Sequence, residues 1–535
     1  MMAKARIQSN RARMAHVAAP TLGMDTVSSG VSMPVGYSIY SYNLIGAEYG
    51  LRSRLGWREW VTGLNSEQVR SILPFTGSVG NGTSNRLFAC TETGIWDVSA
   101  STTTPTQVVV FGTTGPDAGW GISTVFVNSD GDHHLCYCDE ANGYYVYQEF
   151  PETWTAGGLP ANPVTGVDPA DLAFVMGWKN RLWFVEKDTA SGWYLDIGAV
   201  TGAATKFNFG ARFKAGGDLR GLWSWTHDGG QGSDDDLVAV SGGGDVVIYR
   251  GTDPAQAETF ALTGVWYAGS VPAGRKICTD FGGELLLMSS TGIQSLSKLQ
   301  AGGGVYSTQY ETARIANLFG QLQASYSANR GWSMRIHPKD SALIVTVPIA
   351  SGAATQQLVM SLTTKGWHQY RDMPMGVCAE PWGGTLYFGT EDGRVCINDG
   401  DVDGVLLADP NSYDPIYWSL LTGFTNMGRP TQKQVHMLRP TVLSQGGSIP
   451  YSIMARYKWD LSEISAITST PTATGSVWDS ALWDAAVWGG SYNAQQTVHG
   501  SYGMGPEVAV AMRGAASSRM TLTGIDVEYE EGGFL

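Results

Sequence analysis

Seven times between residues 87 and 398 a short apolar run is followed by a turn and a second apolar run, and this recurrence constrains the fold of the 535-residue chain more than any other property. RLFACTETGIWDVS carries Leu87, LCYCDEANGYYVYQ Leu135, RLWFVEKDTASGWYLDI Leu182, and LVAVSGGGDVVIYRG Leu237. ELLLMSSTGIQSLS carries Leu285, ALIVTVPI Leu343 and TLYFGTEDGRVCI Leu386, so the leucines stand 43 to 58 residues apart. Two units superpose almost residue by residue: Cys278 to Gly292 lies over Cys378 to Gly393 at an offset of 100 and then 101. Each reads strand, Gly-Gly turn, strand, X-Gly turn, strand. The pairs Thr93-Gly94, Asn142-Gly143, Ser191-Gly192 and Asp392-Gly393 offer the φ > 0 residue that tight hairpins need. A four-stranded blade takes about 40–50 residues, so the period predicts a β-propeller of about seven blades, with six to eight compatible. A β-solenoid would repeat faster, and a generic sandwich would not repeat so regularly.

After Asn398 the pattern changes. DPIYWSLLTGFTNMGRPTQKQVHMLRPTVLSQGGSIPYSIMARYKWD alternates in longer strands, with Tyr417, Ser419 and Leu421 on one face and Val435, Met437 and Arg439 on a face of the next. Trp478, Trp483 and Trp488 follow five residues apart, a spacing that fits neither a strand face nor a helix face, so they read as aromatic anchors on an extended loop or short turns. EVAVAMRG and RMTLTGIDVEYE close the chain. The expected organisation is all-β: a basic arm over 1–20, a lead-in segment over 21–65 packing on the platform, a propeller over 66–404, and a β-sandwich or barrel platform over 405–535. Composition agrees, with 69 glycines, 19 tryptophans and only 15% charged residues. A disordered chain lacks such aromatics, and a collagen would place Gly at every third position.

The net charge of −14 argues against a protein that reads DNA sequence through a basic patch. Residues 1–60 carry seven basic and three acidic side chains, a balance of +4 that leaves −18 for the remainder. This asymmetry fits an arm bearing Lys4, Arg6, Arg11 and Arg13 that docks on another protein or a nucleic acid; a solvated N-terminus would look the same. Six cysteines are too sparse for a disulfide scaffold and are expected as buried free thiols. No export signal and no transmembrane helix are expected, since the basic start lacks an apolar core and no apolar run reaches about 18 residues.

Motifs for catalysis are missing: the chain holds no GxxxxGK[ST], HExxH, GxSxG or CxxC. His134, Cys136 and Cys138 share a strand face within reach of a soft metal, but no fourth ligand stands nearby and core packing accounts for them. Asp399, Asp401 and Asp403 before Gly404 resemble the first half of a calcium loop. The twelfth position is Pro410, with Asp409 beside it, so an acidic interdomain turn explains the string equally. Asp234, Asp235 and Asp236 read as a solvated loop, or as the carboxylates of a carbohydrate-binding or carbohydrate-cleaving propeller protein.

Taken together, the motifs resemble the tail hub or nozzle proteins of short-tailed bacteriophages, also called tail tubular protein B or packaged-DNA stabilisation proteins. The likeness rests on Met33-Pro34-Val35-Gly36, Asn43, and Gly50, Arg54 and Gly56 in Gly-x-x-x-Arg-x-Gly. It continues in TLYFGTEDGRVCINDGD, the stretch with Lys433, the repeated Trp and the closing GIDVEYEEGGFL. Their order along nearly the whole chain carries the specificity. The resemblance implies a non-enzymatic virion protein without a cofactor, made in the host cytoplasm and built into the tail as a hexameric ring. Portal and adaptor proteins would lie above it and tail fibre or needle proteins beside it. Genomic double-stranded DNA would be retained in the lumen without sequence recognition and pass through it on ejection. The arm would meet the adaptor, and the three Trp would anchor the platform core or a subunit interface.

Overall fold

The computed structural model describes residues 12–30, 32–80, 82–159, 162–226, 235–256, 258–302, 310–350, 355–467 and 493–532. All seven repeat leucines occupy the second strand of successive β-units, and each is at most 1% exposed. Burying one such side chain contributes roughly 1.5–3 kcal/mol, so the period marks a core position of each unit. Blades 1 to 4 span residues 71–110, 121–156, 172–208 and 219–267, each a four-stranded antiparallel sheet in chain order. Blade 5, 278–295, has three strands and is followed by the helices Leu296–Gln300 and Ala316–Tyr326. Blade 6 spans 333–370, and blade 7 consists of Ala379–Trp382, Thr385–Gly389 and Val395–Asn398. Successive units touch around a closed circle, with Ala379–Trp382 returning against Ser71–Phe75 of blade 1.

Two details depart from a simple tandem array. The fourth strand of blade 7 is Trp57–Val61, taken from the N-terminal side, with Asn398 opposite Trp57 and Val395 opposite Val61. The propeller therefore begins before residue 66. Blade 6 also is no separate sheet: its outer strand Trp367–Tyr370 joins Ser38–Tyr42, and the sheet runs on through Ile416–Thr422, Ala509–Ala516 and Tyr451–Arg456 of the platform. Six blades thus stand as sheets of their own, and a seventh unit completes the circle as half of an eight-stranded sheet.

The hairpin glycines divide by cause. Gly143 and Gly393 have φ of +78° and +80°, as tight turns demand. Gly94 does not; a Cβ there would stand 2.0 Å from the Val109 carbonyl oxygen, so close backbone approach requires the glycine.

The platform is a two-sheet sandwich. One layer contains Leu44–Ala47, Gly50–Ser53, Met520–Glu531 and Lys433–Ser444; the other is the platform half of the eight-stranded sheet. Leu44, Leu51, Leu438, Ile525 and Val527 from the first layer pack with Trp418, Leu420, Tyr451 and Met512 from the second. Residues 13–53 therefore form part of the platform itself, and the propeller is inserted between its two halves. Arg13–Ala18 is an edge strand paired with 524–529, so Arg13 belongs to this sheet, where it meets Glu531 at 3.1 Å. Lys4, Arg6 and Arg11 lie outside the described residues. All six cysteines are buried and free. Among the described residues no helix is long and apolar enough to cross a membrane.

Candidate functional site

The junction between platform and propeller holds a buried polar network built from resemblance-motif residues. Arg54 is only 1% exposed and lies where the chain crosses from one body to the other. Its Nη1 and Nη2 donate to the two carboxylate oxygens of Asp403 at 2.7 and 2.6 Å, its Nε donates to Asn43 Oδ1 at 3.0 Å, and Nη1 also donates to the Leu55 carbonyl at 2.9 Å. Asn43, at φ 57°, accepts from the Arg371 backbone N–H and donates to the Tyr417 carbonyl, both at 2.8 Å. A single asparagine thus ties the lead-in strands to blade 6 and to the platform. Gly56 lies against the returning strand so closely that a Cβ would stand 1.8 Å from the Val402 carbonyl oxygen. Burial pushes the Asp403 carboxyl upward, against the opposing pull of Arg54.

The same seam contains His368. Its Nε2 accepts the Gly46 N–H at 3.0 Å, so the ring proton resides on Nδ1, 2.9 Å from Ser41 Oγ. Complete burial pushes this imidazole down to about 3. Beside it Arg52 meets buried Asp340 at 2.7 Å, and the Tyr370 hydroxyl donates to the same carboxylate at 3.1 Å. In the platform, Lys433 is fully buried and donates to the carbonyls of Arg429, Thr431 and Pro506 at 2.7–2.9 Å. Burial lowers its pKa.

A second arrangement occupies the propeller axis. Inner strands line a space of about 510 Å³ whose wall includes Thr124, Met176, Trp223 and Asp280. Glu380 accepts from Arg335 Nε and Nη2 at 2.7 and 2.9 Å and from Lys276 Nζ at 3.1 Å, joining blades 5, 6 and 7. Burial raises the Glu380 carboxyl, but the two cations outweigh it and hold the group below its ordinary value. Toward one end Glu140 lies 3.3 Å from Arg275 and 3.0 Å from Arg330, which also reaches Asp117 at 2.8 Å. These ion pairs cross-brace the axis. Asp280, raised by burial against the pull of Arg335, occupies the position in its repeat that Glu380 occupies in the other. That coincidence, an acid third in both superposed units, is the sequence signal by which the axial cluster could have been found.

The carboxylate string does not form a calcium loop. Asp399 binds Lys339 at 2.6 Å, Asp401 faces Arg519 at 3.6 Å and Asp403 is held by Arg54, so three separate cations draw the carboxylates apart. Among the described residues no group of three or more His, Cys, Asp or Glu side chains is placed to hold a metal. His134, Cys136 and Cys138 are buried, with both cysteines in the core between blades 2 and 3. Asp235 accepts from the Thr226 hydroxyl at 2.6 Å, and fully buried Asp236 pairs with Arg250 at 2.8 Å. These two carboxylates brace blade 4. Asp234, Trp478, Trp483 and Trp488 lie outside the described residues.

No family model and no curated protein matches the chain. Among solved structures it is similar to a chain of the mitotic checkpoint complex, at 10% identity over 70% of this chain and 96% of that one, with a TM-score of 0.36. It is also similar to the extracellular domain of a hybrid two-component system from B. thetaiotaomicron, at 10% identity over 68% and 44% and a TM-score of 0.38. For BamB from Moraxella catarrhalis the values are 11% identity, 67% and 96% coverage, and 0.32. At these identities and scores the likeness extends no further than fold.

Proposed function

We propose that this chain is a structural subunit, not an enzyme, and that it serves as the hub or nozzle of a short-tailed phage tail, assembling with copies of itself into a six-membered ring. The observation that carries the reading is where the resemblance motifs fall: Asn43, Arg54, Gly56 and Lys433 all lie in buried contacts that fix the junction or the platform. The residues that carry the resemblance here hold two bodies in one orientation. Ion pairs of Glu140 with Arg275 and Arg330 span the propeller axis, so the DNA path of this proposal runs between subunits. An acidic body suits a wall along which DNA slides, because Lys and Arg would bind phosphates at any sequence. Portal and adaptor proteins above, and fibre or needle proteins beside, are the partners this reading assigns.

The test is mass photometry with negative-stain microscopy of the purified full chain at micromolar concentration, with and without the adaptor protein of the same virus. Rings with one central opening are expected. A chain that remains monomeric in both conditions overturns the reading.

A further inference from the structure

The motif Met33-Pro34-Val35-Gly36 takes no part in the junction. It forms a turn at the platform surface, with Val35 87% exposed. The turn is fixed from both ends: the Pro34 carbonyl accepts the Tyr37 N–H at 3.4 Å, and the Gly36 carbonyl accepts the Leu22 N–H at 2.9 Å. It walls one side of a groove of about 180 Å³, bounded otherwise by the edge strand Arg13–Ala18 and by residues 422–426. Val17, Met33 and Phe424 make the lining largely apolar, while His16, Thr425 and Asn426 add polar partners. A space of about 150 Å³ suffices for one benzene ring.

The opposite edge of the same sheet carries a projection. Arg13–Ala18 and Lys433–Ser444 flank Met520–Glu531 on its two sides, and residues 499–505 run along the far side of Lys433–Ser444. Tyr502 stands there 89% exposed. Its neighbours are anchored: the Ser501 N–H donates to the His436 carbonyl at 2.8 Å, and Gly503, at φ 107°, lets the backbone lie against the Tyr457 ring. Met437 is paired with Gly500, and Val498 and Met504 flank Tyr502 along the chain; all three are about half exposed. Apolar side chains gathered in this way mark a protein–protein surface, and tyrosine suits one because its ring buries area while its hydroxyl keeps a hydrogen bond.

The groove matches the projection in size and chemistry, with apolar walls for a ring and polar groups for a phenol hydroxyl. Both lie on every copy at opposite edges of one sheet, so each copy can engage one neighbour with its projection and another with its groove. Head-to-tail contacts of this kind close into rings when the rotation per step allows it. We infer that Tyr502 of one copy seats in the groove beside Met33 and Val35 of the next. The contact presupposes the ring proposed above and supplies its subunit interface.

Two substitutions in the full chain test it, Tyr502→Arg on the projection and Val35→Asp at the groove. Both side chains are exposed in the single chain, so neither change should lower the melting temperature. Each is expected to raise the dissociation constant for assembly about thirtyfold or more, as loss of a central anchor does, read by mass photometry. Each variant keeps one intact surface, so an equimolar mixture should form one-to-one dimers and no rings. Rings that persist in both variants overturn the inference and leave the ring reading standing. If the parent itself is monomeric, the ring reading falls and the contact is read by cross-linking at high protein concentration. All six native cysteines are buried, so Tyr502→Cys mixed with Val35→Cys under oxidant should give a mixed disulfide dimer, with Val110→Cys on the outer strand of blade 1 replacing Val35→Cys as the control. A yield no higher than the control overturns the inference as well.

Discussion

Replacing Arg54 with Met tests whether the junction is held by the Arg54–Asp403 pair. The Arg54 side chain is 0% exposed and that of Asp403 12%, so water screens the pair little. The substitution keeps the aliphatic packing but removes both bonds to the carboxylate, the bond to Asn43 Oδ1 and the bond to the Leu55 carbonyl. Breaking a buried pair from one side typically costs about 3–5 kcal/mol because the partner charge stays behind. Here the lower end is expected, about 3 kcal/mol at pH 7. Burial already pushes the Asp403 carboxyl up, and without Arg54 it rises further and escapes part of the penalty by taking a proton. The loss should therefore shrink as pH falls toward 5. The double variant R54M/D403L, apolar on both sides, should recover most of the stability. Urea unfolding followed by tryptophan fluorescence reads all three proteins. A loss below about 1 kcal/mol for R54M, or a double variant no better than the single, would refute the reasoning.

His368 gives a pH dependence of known sign. Its folded pKa of about 3 lies below the ordinary 6.5, so its contribution is intact above pH 6.5 and declines as acid protonates the unfolded chain but not the folded one. Across the full window this amounts to about 5 kcal/mol. Melting temperatures from pH 7 to 4 should fall less steeply for His368→Gln than for the parent, and parallel slopes would contradict the assignment. Gly56→Ala should cost about 1–3 kcal/mol by forcing the crossing strands apart, read as a lowered urea midpoint; an unchanged midpoint would mean that the strands can separate freely.

The propeller was legible because its signal is local and repeated. Each repeat leucine reports the second strand of its own unit, buried whatever the neighbouring blade. The closing strand Trp57–Val61 was not, since nothing in its five residues says that they pair with Val395–Asn398, some 340 positions away. The share of the platform drawn from residues 13–53 was hidden for the same reason: strand pairing across an inserted body leaves no trace in local periodicity. Asp399, Asp401 and Asp403 misled because alternation states which acids share a strand face but not which cations wait opposite. Lys339, Arg519 and Arg54 each came from a different part of the chain. Asp280 and Glu380 were readable in principle from the superposed repeats, since equal positions in equal units face the same axis.

Inserting the propeller between two halves of the platform has a mechanical consequence. A body attached by one linker can swivel, whereas this one is attached by an outgoing and a returning strand that touch at Gly56 and Val402 and are riveted by Arg54 and Asp403. The shared eight-stranded sheet adds a third attachment, off to one side. The crossing strands and the shared sheet together oppose a swivel of one body on the other. A twist of the platform therefore carries the blade 6 strands with it, because they belong to one sheet.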